Sequence, residues 1–313
     1  MAIRSVGGMV VGVSADARDL DLVERRFGQT ATVGAPELVV EVGLEAVPLP
    51  ERPPDDRAID AEVWFDAANV WWSWRGVTAH HTAMSVRIGR PASPGEDVDA
   101  AVDLLAQYGL AAAAARRDRV LVHGAALGRD GEALLVVGSS GAGKSTLAGA
   151  ALLAGWSLLG DDLVVVRHAD GVMTVEGVAR PPLLPDDIVG GSADRLDAEL
   201  VDPDRGRVEI PAALLATGRR PVRAIVVVGH DEGDGTWEHV DPGARPGALV
   251  QGLAVPPVPP ITRAHLPMLA LLGRRPVSRL RHARPVEIRA RRAVELLQEI
   301  WIAAGDLPAV AGD

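Results

Sequence analysis

Hydrophobic and polar positions alternate through residues 62–89, EVWFDAANVWWSWRGVTAHHTAMSVRIG, with turn signals at Ala67–Asn69 and Arg75–Gly76. A period of two broken in this way predicts an antiparallel meander. Upstream, the Gly/Val stretch Val6 to Val13 and the run Leu38 to Val42 read as strands, and PLPERPPDDRAID at 48–60 reads as a loop. After Ser93–Pro94–Gly95 the pattern changes to an alanine-rich helix from Glu96-Asp97 to about Arg116, with acids in its first turn and arginines at its end, as the helix dipole favours. Strands Arg119–His123 and Ala133–Val137 flank a Gly-Arg-Asp-Gly turn at 128–131. A Gly-rich loop at 138–143 leads into a helix from Lys144 to Ala154, stopped by Gly155. Strands Ser157–Leu159 and Leu163–Arg167 follow, and Gly171 turns the chain into another. Residues 178–220 read as irregular, Ala224–Val228 as a buried strand, 230–247 as a charged loop or hairpin, and VPPVPP at 255–260 as a stiff connector. Helices are predicted at Leu266–Leu272, with Pro267 in its first turn, and at Val286–Ala304. The chain divides on this reading into a β-rich N-terminal module, 1–94, and an α/β domain, 95–313.

Composition narrows the classes. The 313 residues are 48% hydrophobic and 24% charged, the balance of an ordinary globular protein, which excludes disordered, collagen-like and fibrous chains. The absence of cysteine removes disulfides, iron–sulfur clusters, thiolate zinc sites and thiol nucleophiles. A net charge of −10 gives no general attraction for nucleic acid or anionic lipid. The most apolar uncharged stretch, Ser145–Gly160, is 16 residues, short of the roughly 20 that a spanning helix needs. Neither nucleic acid nor a membrane is therefore an expected partner. The opening MAIRSVGGMVVGVSADA imitates a signal peptide, but its Gly/Val composition reads as a first strand, and a cytoplasmic protein is expected. Trp64, Trp71, Trp72 and Trp74 fall in the meander and read as packing residues of a small sheet.

Of the 32 basic residues, 31 are arginine and one is lysine, Lys144. Lysine and arginine differ where a compact ammonium on a flexible stem is needed in place of a planar fork. The one retained lysine marks such a place, within Gly138-Ser139-Ser140-Gly141-Ala142-Gly143-Lys144-Ser145, with Thr146 next. This is G-x-x-x-x-G-K-[ST] without deviation, preceded by an apolar strand and followed by a helix. The glycines let backbone N–H groups turn inward onto phosphate oxygens, and the helix adds its N-terminal donors. Lys144 reaches the β- and γ-phosphates and the Ser145 hydroxyl completes a Mg²⁺ shell. ATP and Mg²⁺ are the expected cofactors.

One helix downstream, Asp161-Asp162 sits between the apolar runs WSLLG and LVVV. Of two adjacent carboxylates, one can bind Mg²⁺ and the other can accept the proton of an attacking hydroxyl. A second acidic candidate, Asp231 after the strand 224–228, is displaced two residues from the strand end expected of a Walker B aspartate. His123 ends the strand that precedes the loop strand, where a packing or capping role and a role in the site are both open.

Taken together, His123-Gly124, the loop at 138–145 and Asp161-Asp162 resemble HPr kinase/phosphorylase and its relatives. The histidine lies 21 residues before the lysine, and the aspartates lie 17 and 18 residues after it. The resemblance covers about residues 117–170. It implies a P-loop kinase domain of the HPr-kinase/phosphoenolpyruvate-carboxykinase type, here beside a smaller β-rich N-terminal domain. It implies that Lys144 and the loop bind ATP, that Ser145 and Asp161 lie on the metal, and that Asp162 is the general base with His123 and Asp161 beside it. Arg207, before a strand–proline step, resembles a basic position of these relatives, as a phosphate contact or a solvated strand end. The glycine- and isoleucine-rich signature of the bifunctional enzymes is absent, and 178–192 reads VARPPLLPDDIVGGS. The chain looks more like divergent relatives, some of which phosphorylate serine on ribosomally made peptides such as lasso peptides and others of which have small or unknown acceptors.

The leading expectation is a Mg·ATP-dependent kinase acting on a hydroxyl, Ser or Thr of a peptide or protein, with a homo-oligomer among the possible states. The alternatives are a small-molecule hydroxyl kinase and a non-kinase ATP-switched P-loop protein with Asp231 as Walker B acid. For the last, Gly190-Gly191-Ser192 is too short to read as an ABC-type signature.

Overall fold

A computed structural model of the chain describes residues 1–27, 32–58, 60–93, 96–178, 180–192, 196–204, 206–229, 234–254, 258–283 and 286–305. The protein is a mixed α/β chain with three sheets among the described residues. It divides into two compact units, residues 1–120 with 254–266, and residues 121–253 with 267–313.

The first unit is built on an eight-stranded sheet. Strands β1 (Ala2–Val6) and β2 (Met9–Ser14) form a hairpin, so the stretch read as one strand over 6–13 reverses at Gly7-Gly8, both in positive φ. Helix α1 (Ala17–Phe27) leads to β3 (Leu38–Gly43), which runs parallel to β2. The segment read as a loop contains a short edge strand, β4 (Asp56–Ala58). The expected meander is β5 (Ala61–Phe65), β6 (Val70–Trp74), β7 (Val77–His81) and β8 (Ser85–Gly89). It joins β3 through a parallel pairing with β8 that the alternation alone does not predict. Its inward row, Val63, Trp72, Ala79 and Ile88, is buried, and α2 (Glu96–Ala115) packs against β7 and β8. Trp72 meets Tyr108 of α2 at 5.4 Å and donates its indole N–H to Nδ1 of His81. Burial drives the His81 pKa down to about 3, so the ring is neutral and free to accept that bond. Arg117 closes α2 by donating to the Ala113 carbonyl, the placement that the dipole favours. The stretch Asp97–Ala115 is long and apolar enough to cross a membrane by length and composition, which the sequence reading did not single out; 67% of its apolar window is buried within the protein.

The second unit holds the mixed nine-stranded sheet. Its path begins with β9 (Arg119–Val122), β10 (Gly124–Arg129) and β11 (Glu132–Gly138), followed by α3 (Lys144–Leu153). Strands β12 (Ser157–Gly160), β13 (Val164–Ala169) and β14 (Val172–Gly177) come next. The region read as irregular, 178–220, folds in part as a three-stranded sheet of β15 (Leu183–Pro185), β16 (Glu199–Asp202) and β17 (Arg207–Glu209), with α4 (Asp186–Val189) after β15. The central strand β18 (Arg220–Val228) runs parallel to β11. Residues 230–233 of the predicted charged hairpin lie outside the described residues; the remainder forms β19 (Asp234–His239) and α5 (Arg245–Val250). Residues 255–257 of the predicted connector also lie outside them. Helix α6 (Pro259–Leu272) opens on Pro259-Pro260; its residues 259–266 belong to the first unit and the rest to the second, and Pro267 is an interior residue and not a first-turn one. Strand β20 (Val277–Ala283), parallel to β18, and α7 (Val286–Gly305) complete the unit.

Helices α3 and α7 share one face of this sheet. Leu134 and Val136 of β11, Leu147 and Ala151 of α3, and Leu297, Ile300 and Trp301 of α7 lie in one buried cluster. Each fully buried large apolar side chain there contributes about 1.5–3 kcal/mol, which holds the start of α3 firmly against the end of β11. Trp156 and Trp301 meet edge to face at 5.4 Å, with Arg129 and Arg223 over their outer faces.

Candidate active site

The turn from β11 to α3 is shaped by its glycines. At Gly138, φ is +157°, and an added Cβ would meet the Val228 carbonyl oxygen at 2.5 Å. Gly141 and Gly143 have φ of +77° and +100°, and Gly143 caps α3 without any side-chain hydrogen bond. The first amides of the helix, from Lys144 to Thr146, have no intrahelical acceptor and face the loop as donors. Ser139 and Ser140 lie on its rim, Ala142 is buried beneath it, and Thr146 is half-buried in the first helical turn. Lys144 is 6% exposed and donates from Nζ to the carbonyls of Gly138 and Ser139, both at 3.0 Å. Burial lowers its pKa, opposed by the charges of Asp161 and Asp162.

The aspartate doublet follows β12, which lies beside β10 and therefore ends at the same sheet edge as the loop. Asp161 is 4% exposed, and burial raises its pKa to about 6, reinforced by the like charge of Asp162. The Ser145 hydroxyl, the Asp162 amide and the charge of Arg180 pull the other way. Oxygen Oδ1 of Asp161 has no hydrogen-bond partner among the described residues. Asp162 adopts the left-handed region at φ +69°, uncommon for a residue with a side chain, and its carbonyl accepts the Gly124 N–H at 3.2 Å. That backbone turn places its carboxylate between two bases. Oδ1 is 3.1 Å from Nε2 of His123, and Oδ2 takes the guanidinium of Arg180. His123 is itself anchored by its own N–H, which donates to the Gly252 carbonyl at 2.8 Å.

Lys144, Ser145, Asp161, Asp162 and His123 are thus brought to one edge of one sheet. The sequence reading ends a strand at His123; β9 stops at Val122 and β10 starts at Gly124, so the histidine stands at the break between two strands. Arg207 opens β17, paired with Pro185, and flanks Val208, whose side chain is in the core; the alternation of a strand puts Arg207 on the opposite face. The arginine found on the doublet is Arg180. Asp231 lies outside the described residues. Gly190-Gly191-Ser192 forms a 3₁₀ turn after α4.

Arg180 escapes a motif search because a hairpin delivers it. Pairing of β13 with β14 sets Val164 opposite Gly177, and the Val178 N–H donates to the Leu163 carbonyl at 3.4 Å. The chain leaving β14 therefore returns beside the doublet. The usable signal was the Asp170-Gly171 turn between two valine-rich strands, which fixes the register and so the return point.

A divalent cation can be tested against these donors. The unpartnered buried Oδ1 of Asp161 and the hydroxyl of Ser145, which favours the ionised form of that carboxyl, are hard oxygen donors of the kind that Mg²⁺ takes. Among the described residues there is no cluster of three or more His, Cys, Asp or Glu side chains that would hold an ion alone. The set fits an ion that arrives with phosphate and water as its other ligands.

No protein-family model matches the chain, and no curated protein does. Among solved structures, the chain is similar to the HPr(Ser) kinase/phosphatase from Coxiella burnetii at 13% identity. That match covers 59% of this chain and 92% of the other, with a TM-score of 0.32.

Proposed function

We propose that the second unit is an HPr-kinase-like phosphotransferase that moves the γ-phosphoryl group of ATP to a hydroxyl, Ser or Thr of a peptide or protein. One observation carries this reading: next to buried Asp161, at the sheet edge where the glycine loop ends, the Asp162 carboxylate is a third exposed and held between His123 and Arg180. The loop amides and Lys144 would hold the β- and γ-phosphates, the lysine leaving the carbonyls of Gly138 and Ser139 to do so. Ser145 and Asp161 would hold Mg²⁺, which when bound neutralises charge developing on the phosphates. Asp162 accepts the proton of the incoming hydroxyl as its oxygen attacks phosphorus in line with the departing diphosphate. His123 fixes the direction of the Asp162 carboxylate. A requirement for ATP supports a cytoplasmic setting for the reaction.

The test is intact-mass spectrometry of peptides encoded near this chain's gene, incubated with the protein, Mg²⁺ and ATP. Addition of phosphate to an acceptor is expected. Asp162→Asn should lower transfer by about 10²–10⁴-fold while ATP still binds. Hydrolysis that needs no acceptor and survives that change would favour an ATP-switched protein and reject the kinase.

A further inference from the structure

Arg180 has unfinished hydrogen bonding. It gives Nη2 to Oδ2 of Asp162, while its Nε is shut off from water with no acceptor among the described residues. A guanidinium carries five donors in a rigid fork, and its strongest arrangement on an oxyanion uses two in parallel. Here the contact with Asp162 is through one nitrogen, and a buried donor without an acceptor is costly. The side chain is 13% exposed and its charge also acts on Asp161, so it is largely buried beside the doublet. Both oxygens of Asp162 are already engaged, one by His123 and one by Arg180. Lys144 is likewise turned onto the carbonyls of its own loop. Two cations of the cleft rest on protein acceptors that a more highly charged polyphosphate would displace.

We propose that Arg180 exchanges partners: it rests on Asp162 and moves to the terminal phosphate of bound nucleotide, uncovering Oδ2 of Asp162 for the acceptor hydroxyl. This rests on the phosphotransferase reading above. In the reaction the acceptor O–H bond breaks and its proton goes to Asp162. The acceptor O–P bond forms, the bond from the γ-phosphorus to its bridging oxygen breaks, and ADP leaves. Arg180 stays on the transferred group through that step and returns to Asp162 when the site empties. Asp162 and ATP therefore compete for one guanidinium, and nucleotide binds before acceptor.

Titration calorimetry on the full chain with magnesium-ATP and magnesium-ADP tests the exchange, with thermal melts to verify folding. R180Q should bind ATP about tenfold or more weakly and ADP within about twofold of wild type, with R180K between the two for ATP. D162N releases the arginine and should bind ATP about tenfold tighter. In the R180Q background the same change should gain less than about twofold. Equal gains in both backgrounds would be plain relief of repulsion and would overturn the exchange, as would ATP binding by R180Q at wild-type strength. Should R180Q not fold, the gain from D162N is compared in the R180K background, where it should shrink and where an undiminished gain counts against the exchange. Wild-type protein that binds neither nucleotide would remove the phosphotransferase reading itself, a result separate from an Arg180 that merely does nothing.

Discussion

Two aspartate–arginine pairs, one in each unit, show opposite uses of the same chemistry. In the first unit Arg90 and Asp19 are paired at 2.8 Å with side-chain exposures of 5% and 2%. Every nitrogen of Arg90 is engaged: Nε on Asp19, Nη2 on Asp16 and Nη1 on the Pro91 carbonyl. In the second unit Arg180 spends one nitrogen on an Asp162 that is a third exposed, and keeps a buried one unsatisfied. A filled fork between buried groups ties α1 to the end of the sheet. A part-filled fork beside a partly exposed carboxylate leaves a buried N–H without an acceptor among the described residues. The difference lies in the arginine nitrogens: Arg90 has none idle, although Oδ1 of Asp19 is buried without a partner among the described residues, whereas Arg180 leaves Nε without an acceptor.

The comparison can be broken most forcefully at its structural end. Arg90→Met leaves the Asp19 carboxylate buried without its cation and should cost about 3–5 kcal/mol in urea unfolding. A loss below about 1 kcal/mol would mean that the filled fork is not what holds that corner. Asp161, a buried carboxylate with no arginine on it, should behave in reverse. Its pKa of about 6 lies above the ordinary 3.8, so the folded state holds the proton more tightly than the unfolded state. Its charge therefore weighs against folding once pH passes about 6, and the penalty is gone below about pH 4. Asp161→Asn should stabilise the ligand-free protein by on the order of 2–3 kcal/mol at pH 7.5, with the gain fading as pH falls to about 4. A gain independent of pH would point to packing. The smallest effect is expected at the open fork: Arg180→Gln should change ligand-free stability by less than about 1 kcal/mol, since its partner is already solvated. A larger loss in the same urea titration would make Arg180 a structural residue like Arg90.

What the sequence made legible follows from how local each signal is. The loop 138–145 and the doublet are short contiguous strings whose chemistry is written in adjacent residues. The meander could be read from alternation because one face of each strand is buried. Strand β10, GAALGR, has small residues and no β-branched side chain, so its place between β9 and β11 gave no period to detect. Helix α1, ARDLDLVERRF, hides behind a high charge content, and β15 to β17 are three or four residues long amid prolines. Arg180 was invisible because its role depends on a hairpin register and not on any neighbour in the chain. Arg207, read from the sequence as a phosphate contact or a solvated strand end, lies at the start of β17, where strand alternation places it opposite the buried Val208.

The left-handed backbone at Asp162 has an evolutionary corollary. Asparagine and glycine are the residues that tolerate that conformation best, and each is one nucleotide from an aspartate codon. A relative could therefore shed the carboxylate in a single step while the bend, the neighbouring strands and the glycine loop all survive. If the proposed reaction is right, descendants that bind and no longer transform would be recognisable by the letter at that one place.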